Sequence, residues 1–246
     1  MSPDTAPFTV ATFNVAWARP SSPRFEGIRA RLMAERPDLI CLTETHDAPL
    51  DDFHCIASDA DYGYPLIGER RKVVLASRAP WSDVDTCPTD AMPPGRYVSG
   101  RTTLSGEAIT VIGVCIPWSA AHVSTGRKDR ARWQDHLACL DALGAFIPDA
   151  PDRTVVLGDF NQTLPRTRAP IRVHDRLKAT LLDRLAPITA GLSFEGRAAI
   201  DHIAVSPDLT ATETGAIPNR TGTSKLSDHF GVYARLSLPS RCGAPS

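Results

Sequence analysis

The order of apolar patterns along the chain predicts an α/β domain made of two mixed β-sheets packed face to face, with helices outside. Three observations carry that expectation. Short apolar runs of strand length outnumber helical stretches. Several strand-like runs follow one another with no helix between them, which a purely parallel doubly wound sheet would not allow. The 21 Pro and 16 Gly residues punctuate the sequence into many short segments.

The first strand is expected at Phe8–Val15, where Phe8, Val10 and Thr12 alternate with Thr9, Ala11 and Phe13 before Asn14. Phe25, Ile28, Leu32 and Met33 have helical spacing over 24–36, closed by Pro37. Asp38 to Glu44 is a short apolar strand ending on a carboxylate. Shorter strands are expected around 72–77, 97–104 and 108–116, with the Pro-rich piece 87–95 as a loop. Residues 127–147 read as the clearest helix, its stripe being Trp133, Leu137, Leu140, Gly144 and Ile147. A strand at 154–157 precedes a loop carrying Arg166, Arg168 and Arg172. Leu177, Leu181, Leu182 and Leu185 mark another helix, and the last strands fall at 199–206 and 230–236.

No internal repeat, long linker or low-complexity tract divides the chain, so one domain over 1–246 is expected, with an ordered core from about 7 to 238 and a disordered tail. The 42% apolar and 22% charged shares are ordinary for a globular protein. A net charge of −1 argues against holding long nucleic acid by bulk electrostatics, though a locally basic face is compatible with it. Neither a secretory signal nor a run long enough to span a membrane is expected. The cysteines form no Cys-x-x-Cys pair, which argues against a zinc cluster, and Cys41 and Cys115 lie inside apolar runs as small core residues. Cys242 is one place off a prenylation box. A reduced cytoplasmic monomer is the expectation.

Polar groups gather at the strand ends. Thr154-Val155-Val156-Leu157 runs into Gly158-Asp159-Phe160-Asn161, which is either a turn or a polar pair at the mouth of a sheet. Near the C-terminus, Asp201-His202 and Asp228-His229 each place a carboxylate beside an imidazole. Such a pair can orient the ring, bind a metal or cap a turn. Strands finishing on Asn14, Glu44 and Asp159-Asn161 would converge if they were neighbours.

Five ordered pieces then resemble the metal-dependent endonuclease/exonuclease/phosphatase superfamily, over nearly the whole chain: Thr12-Phe13-Asn14-Val15, Pro37 to Glu44, Gly158 to Asn161, Ile200-Asp201-His202-Ile203 and Ser227-Asp228-His229. The resemblance implies a four-layer deoxyribonuclease-like sandwich and phosphoester hydrolysis supported by Mg²⁺ or Mn²⁺. It implies Glu44, Asn14 and Asp228 as metal ligands, with Asp159 orienting or deprotonating the attacking water and Asn161 holding that water or a phosphate oxygen. His229 would bond the scissile phosphate, with Asp201 behind it; His202 is expected to be structural. Hard oxygen ligands suit Mg²⁺ on chemical grounds as well.

The chain departs from the family pattern in two places. Cys115-Ile116-Pro117-Trp118 stands where family nucleases carry a Tyr or His, and a thiol is a poor phosphate ligand. His122 or Arg127 is the expected substitute donor, with Trp17 and Trp118 as candidate stacking surfaces. Ala16 stands where abasic-site endonucleases carry a metal-binding Asp, which makes that specialisation unexpected. His46 is expected to cap a loop, and His54, His136 and His174 to lie at the surface.

The leading expectation is a nuclease acting on DNA or RNA. The alternatives are a phosphatase or phosphodiesterase for a small or lipid-derived phosphate, and a catalytically silent binding module, which would be expected to have lost Glu44, Asp159, Asn161 or His229.

Overall fold

The computed structural model describes residues 6–238. The tail past Pro239, with Cys242, lies outside the described residues. In chain order the strands are β1 Phe8–Asn14, β2 Leu39–His46, β3 His54–Ala57, β4 Arg70–Ser77, β5 Ser82–Asp85, β6 Tyr97–Leu104, β7 Glu107–Cys115 and β8 Thr154–Asp159. They continue with β9 Ala186–Pro187, β10 Ser193–Phe194, β11 Arg197–Ala198, β12 Asp201–Val205, β13 Thr210–Ile217, β14 Arg220–Thr221, β15 Ser224–Lys225 and β16 Gly231–Ser237. Three α-helices, α1 Pro23–Ala34, α2 Gln134–Gly144 and α3 Ile171–Leu177, accompany them, α3 running on into a π turn at Lys178–Leu182.

Two six-stranded mixed sheets result, ordered β13-β16-β1-β2-β4-β3 and β5-β6-β7-β8-β12-β9. They pack face to face because their strands are apolar on both faces. Val10 of β1, Cys41 of β2, Val111 of β7, Leu157 of β8 and Ile203 of β12 share one buried cluster between the sheets. The alternate residues face outward, where Phe13 and Leu42 meet Phe25, Ile28 and Leu32 of α1. On the far side, Val156 and Ile112 meet Leu140 and Leu143 of α2 and Leu177 of α3. Helix, sheet, sheet and helix are the four expected layers. Each fully buried Leu, Ile, Val or Phe contributes about 1.5–3 kcal/mol.

Period-2 alternation also sets the site. In β8, Val155, Leu157 and Asp159 share the inner face, as do Asp201, Ile203 and Val205 in β12. Because β12 runs antiparallel to β8 with Asp201 opposite Asp159, one strand delivers its carboxylate as it ends and the other as it begins. β1 and β2 are parallel with Asn14 opposite Thr43, so Glu44 emerges beside Asn14.

The helix expected over 127–147 is shorter, covering Gln134–Gly144. Its lead-in coils back on itself, with the Arg127 N–H donating to His122 Nδ1 and left-handed backbone at Lys128 and Trp133. Leu140 and Ile147 are buried as expected, but the helix also buries His136, Cys139 and Leu143, while Trp133, Leu137 and Gly144 are only partly buried. His136 is fully buried, against the surface position expected for it. His46 is the last residue of β2, where the following loop begins. Strand β13 and the short strands β3, β5, β9, β10, β11, β14 and β15 fall outside the runs expected from the sequence.

Candidate active site

Gly158 explains how Asp159 is presented. Its φ is +137°, and a Cβ there would meet the Val114 carbonyl oxygen at 2.0 Å, so only glycine lets β7 and β8 approach this closely. Asp159 follows, buried at 2% exposure. Three donors hold its carboxylate: the Asn161 N–H at 2.9 Å, Asn161 Nδ2 at 3.0 Å and Asn14 Nδ2 at 3.1 Å. Asn161 takes left-handed backbone at φ +52°, a conformation Asn tolerates, and also donates to the Ile116 carbonyl at 2.8 Å. Burial, then the neighbouring Asp201, push the Asp159 carboxyl up to about 7 against the pull of His229.

Behind it, His229 Nδ1 and Asp201 Oδ2 are 2.6 Å apart, a short charge-assisted bond. Burial opposes the charge on His229, but Asp201 and Asp159 outweigh it and hold the imidazolium up at about 10. With Nδ1 committed to Asp201, the Nε2–H is left to meet a ligand. Asp201 Oδ1 is buried with no hydrogen-bond partner.

On the first sheet, Glu44 also has left-handed backbone, φ +49°, which breaks strand alternation where the carboxylate is needed. Its Oε1 accepts from Lys72 Nζ at 2.7 Å. Lys72 is nearly buried and lies 4.9 Å from the Trp17 ring and 5.6 Å from the Tyr62 ring. Asn14 Oδ1 accepts from the Ala16 N–H, and the Ser227 hydroxyl donates to the Asn14 carbonyl, tying the Asp228-His229 segment to β1. Asp228 itself is exposed.

Asp159, Asp201 and His229 bring potential ligand atoms within 4.8 Å of one another. The Asp201–His229 bond already uses one atom from each, and a protonated imidazole repels a cation. A better fit to a divalent metal comes from the wider set. Of Glu44, Asp159, Asp201 and Asp228, Glu44 is paired with Lys72 and Asp201 with His229, and the buried Asp201 Oδ1 lacks a hydrogen-bond partner. Such hard oxygen donors match Mg²⁺ or Mn²⁺.

The residues expected to replace the donor missing at Cys115 have partners of their own. His122 is buried, stacks on Tyr64 at 4.3 Å and accepts from the Arg127 N–H. Its pKa is lowered by burial and then by Arg127. The Arg127 guanidinium pairs with Asp129 at 3.2 Å. Trp118 is 46% exposed, whereas Trp17 stacks on Tyr62 at 5.7 Å. Cys115 sits beside Asp159 in the β7–β8 register, fully buried, its thiol pushed up to about 12 by burial and pulled back by Lys72. Two cations act on this corner: buried Arg96, whose Nη1 lies 3.9 Å from Cys115 Sγ, and Lys72, which strand periodicity alone did not single out.

Two histidines brace the site from behind. His136 Nδ1–H donates to the Pro117 carbonyl at 2.7 Å, and its Nε2 accepts from Gln162 Nε2 at 2.9 Å. His202 bonds the Gln162 carbonyl at 3.0 Å. Both are held neutral, with pKa values lowered to about 4 by burial. A cavity of about 600 Å³ opens on the site at Asn161, Asp201, Asp228 and His229.

The family profile described as "Endonuclease/Exonuclease/phosphatase family" matches residues 11–229. No curated protein sequence matches the chain. Among solved structures, the 3'-5' exonuclease NExo from Neisseria meningitidis superposes with TM-score 0.68 at 20% identity, covering 94% of this chain and all of that one. NExo from Neisseria, described as a 3' phosphatase bound to product DNA hairpin, gives 0.62 at 20% identity over 92% of this chain and 98% of that one. An endonuclease/exonuclease/phosphatase protein from Bacteroides vulgatus gives 0.63 at 16% identity over 95% and 100%. At these identities the structures attest the fold, and the profile match attests the lineage. The chain belongs to the endonuclease/exonuclease/phosphatase family, whose members hydrolyse phosphoester bonds.

Proposed function

We propose that the chain is a divalent-metal-dependent phosphodiesterase acting as a nuclease, with Asp159 as the base for in-line attack of water on phosphorus. One observation carries this reading. A buried carboxylate, raised to about 7 and fixed by three amide donors, lies beside an Asp201–His229 pair whose bond is 2.6 Å. A base near neutrality next to a cationic donor is what hydrolysis of an anionic ester requires.

In this reading Asp159 accepts the proton of a water held with Asn161. His229 donates Nε2–H to a nonbridging phosphoryl oxygen, and Asp201 keeps the ring in the required tautomer. Glu44, Asn14 and Asp228 would hold Mg²⁺ or Mn²⁺, which when bound offsets charge on the phosphoryl and leaving oxygens. Lys72 holds Glu44 and supplies positive charge at the corner where Cys115 offers none. The DNA-directed activities named for the Neisseria structures support a nucleic-acid substrate over a lipid phosphate.

A panel of plasmid DNA, single-stranded DNA, RNA and small phosphomonoesters, each with Mn²⁺, tests the reading. Hydrolysis of a nucleic acid that weakens steeply with salt is expected, because phosphate contacts release counterions. Turnover confined to small monoesters would replace the nuclease with a phosphatase.

A further inference from the structure

The 600 Å³ cavity beside the dyad has a second set of walls that the chemistry above does not use. They include Trp133, Thr167, Arg168 and Arg197. Eleven arginines among the described residues pair with carboxylates, as with Arg71–Asp47, Arg78–Asp52, Arg130–Asp135, Arg176–Asp141 and Arg235–Glu213. Arg168 and Arg197 are exposed and have no such partner among the described residues. The one acidic residue of the β10–β11 hairpin, Glu195, turns away to Arg220 at 3.2 Å.

The loop carrying Arg168 is internally braced. The Thr163 and Thr167 hydroxyls are 2.8 Å apart, the Thr167 N–H donates to Thr163 Oγ1 at 3.0 Å, and Arg166 donates to the Ala169 carbonyl at 3.0 Å. Across the cavity, Trp133 meets the His136 ring edge-on at 5.1 Å, and His136 is itself pinned between Pro117 and Gln162. One planar aromatic surface and two unpaired guanidiniums thus border a space that begins at His229 and Asn161.

We propose that this cavity is a subsite for the nucleotide unit adjoining the scissile phosphoester, its second phosphate received by Arg168 and Arg197 and its base by Trp133. Guanidinium forks suit phosphate oxygens, and a Trp face stacks on any base without sequence preference. A phosphoester lacking a neighbouring phosphate and ring would leave the subsite unused. The proposal rests on the phosphodiesterase reading and narrows its substrate to oligonucleotides.

The test measures kcat/KM with Mn²⁺ for bis-p-nitrophenyl phosphate, for the dithymidine phosphodiester, for its 5'-phosphorylated form, and for trithymidylate with either a thymine or an abasic terminal unit. The second phosphate is expected to raise kcat/KM by about 10- to 100-fold, and removal of the base should lower it by about 5- to 100-fold. The double variant Arg168→Ala/Arg197→Ala should erase the gain from the second phosphate. Because Trp133→Leu removes the ring contact with His136, the abasic substrate tests the stacking surface in the wild-type protein, and equal kcat/KM on the two trimers would overturn it. If bis-p-nitrophenyl phosphate is hydrolysed but the second phosphate brings no gain, or the double variant keeps it, the subsite is wrong and the phosphodiesterase reading stands. If wild-type protein cleaves none of these diesters, the underlying reading fails.

Discussion

The two sheets contribute unlike halves to one site. On the second sheet, Asp159, Asn161 and Asp201 sit in a closed network that Asn14 and His229 complete from the first, with amide donors and a 2.6 Å ion pair fixing each group before any ligand arrives. On the first sheet, Glu44 is half-buried, Asp228 is exposed, and the one strong contact is Glu44 with Lys72 at 2.7 Å. The contrast separates two tasks. Proton handling and orientation need rigidity, which buried hydrogen bonds supply. Binding a cation and a substrate needs ligands that can be reached, and in the proposed reading the Glu44–Lys72 ion pair rearranges to release one.

The largest expected effect breaks the rigid half. Asp159→Ala and His229→Ala should each lower kcat/KM by about 10²- to 10⁴-fold, the range for a positioned acid or base. Steady-state kinetics on a phosphodiester checks this, and full activity in either variant would remove its residue from the chemistry.

A smaller effect is expected on the open half. Lys72→Met should free Glu44 and tighten Mn²⁺ binding by about 10-fold, since a cation competes poorly where another already pairs with the ligand. Calorimetric titration of Mn²⁺ reads this independently of turnover. Unchanged or weaker binding would mean that Lys72 does not compete for Glu44.

The smallest concerns the scaffold behind the rigid half. His136 is neutral in the fold, with its pKa lowered to about 4 from 6.5. Above pH 6.5 neither state binds the proton, so nothing is lost there. As pH falls from 6.5 toward 4 the unfolded chain takes up a proton that the folded chain refuses, and stability drops by up to about 3 kcal/mol. Urea unfolding at pH 7 and pH 4.5 should show that loss reduced in His136→Gln. An identical pH slope in the two proteins would contradict the assignment.

How much of this was legible follows from where the signals lie. β1, β2 and β8 could be read because their inner and outer faces are both apolar and their polar ends are abrupt, which is also why Asn14, Glu44 and Asp159 stood out. β13 is harder to read because Thr210–Ile217 is an edge strand, mostly half-buried or exposed and rich in Thr, with a register shift between Ala211 and Glu213. His136 read as a surface residue because its partners, Pro117 and Gln162, are far from it in sequence. Lys72 was hidden for a similar reason. A lysine at the start of an apolar strand looks like a solvated edge until β2 and β4 pair and set it on Glu44. Arg127 read as a free cation, whereas Asp129 two residues later neutralises it.

The central claim is that Asp159 drives metal-dependent cleavage of a phosphodiester. Its most direct test is hydrolysis of bis-p-nitrophenyl phosphate with Mn²⁺ or Mg²⁺, before and after EDTA, by wild-type protein and by Asp159→Asn. Turnover that requires the metal and collapses in the variant is the predicted result. Turnover that survives chelation, or an Asp159→Asn protein as active as wild type, would contradict it.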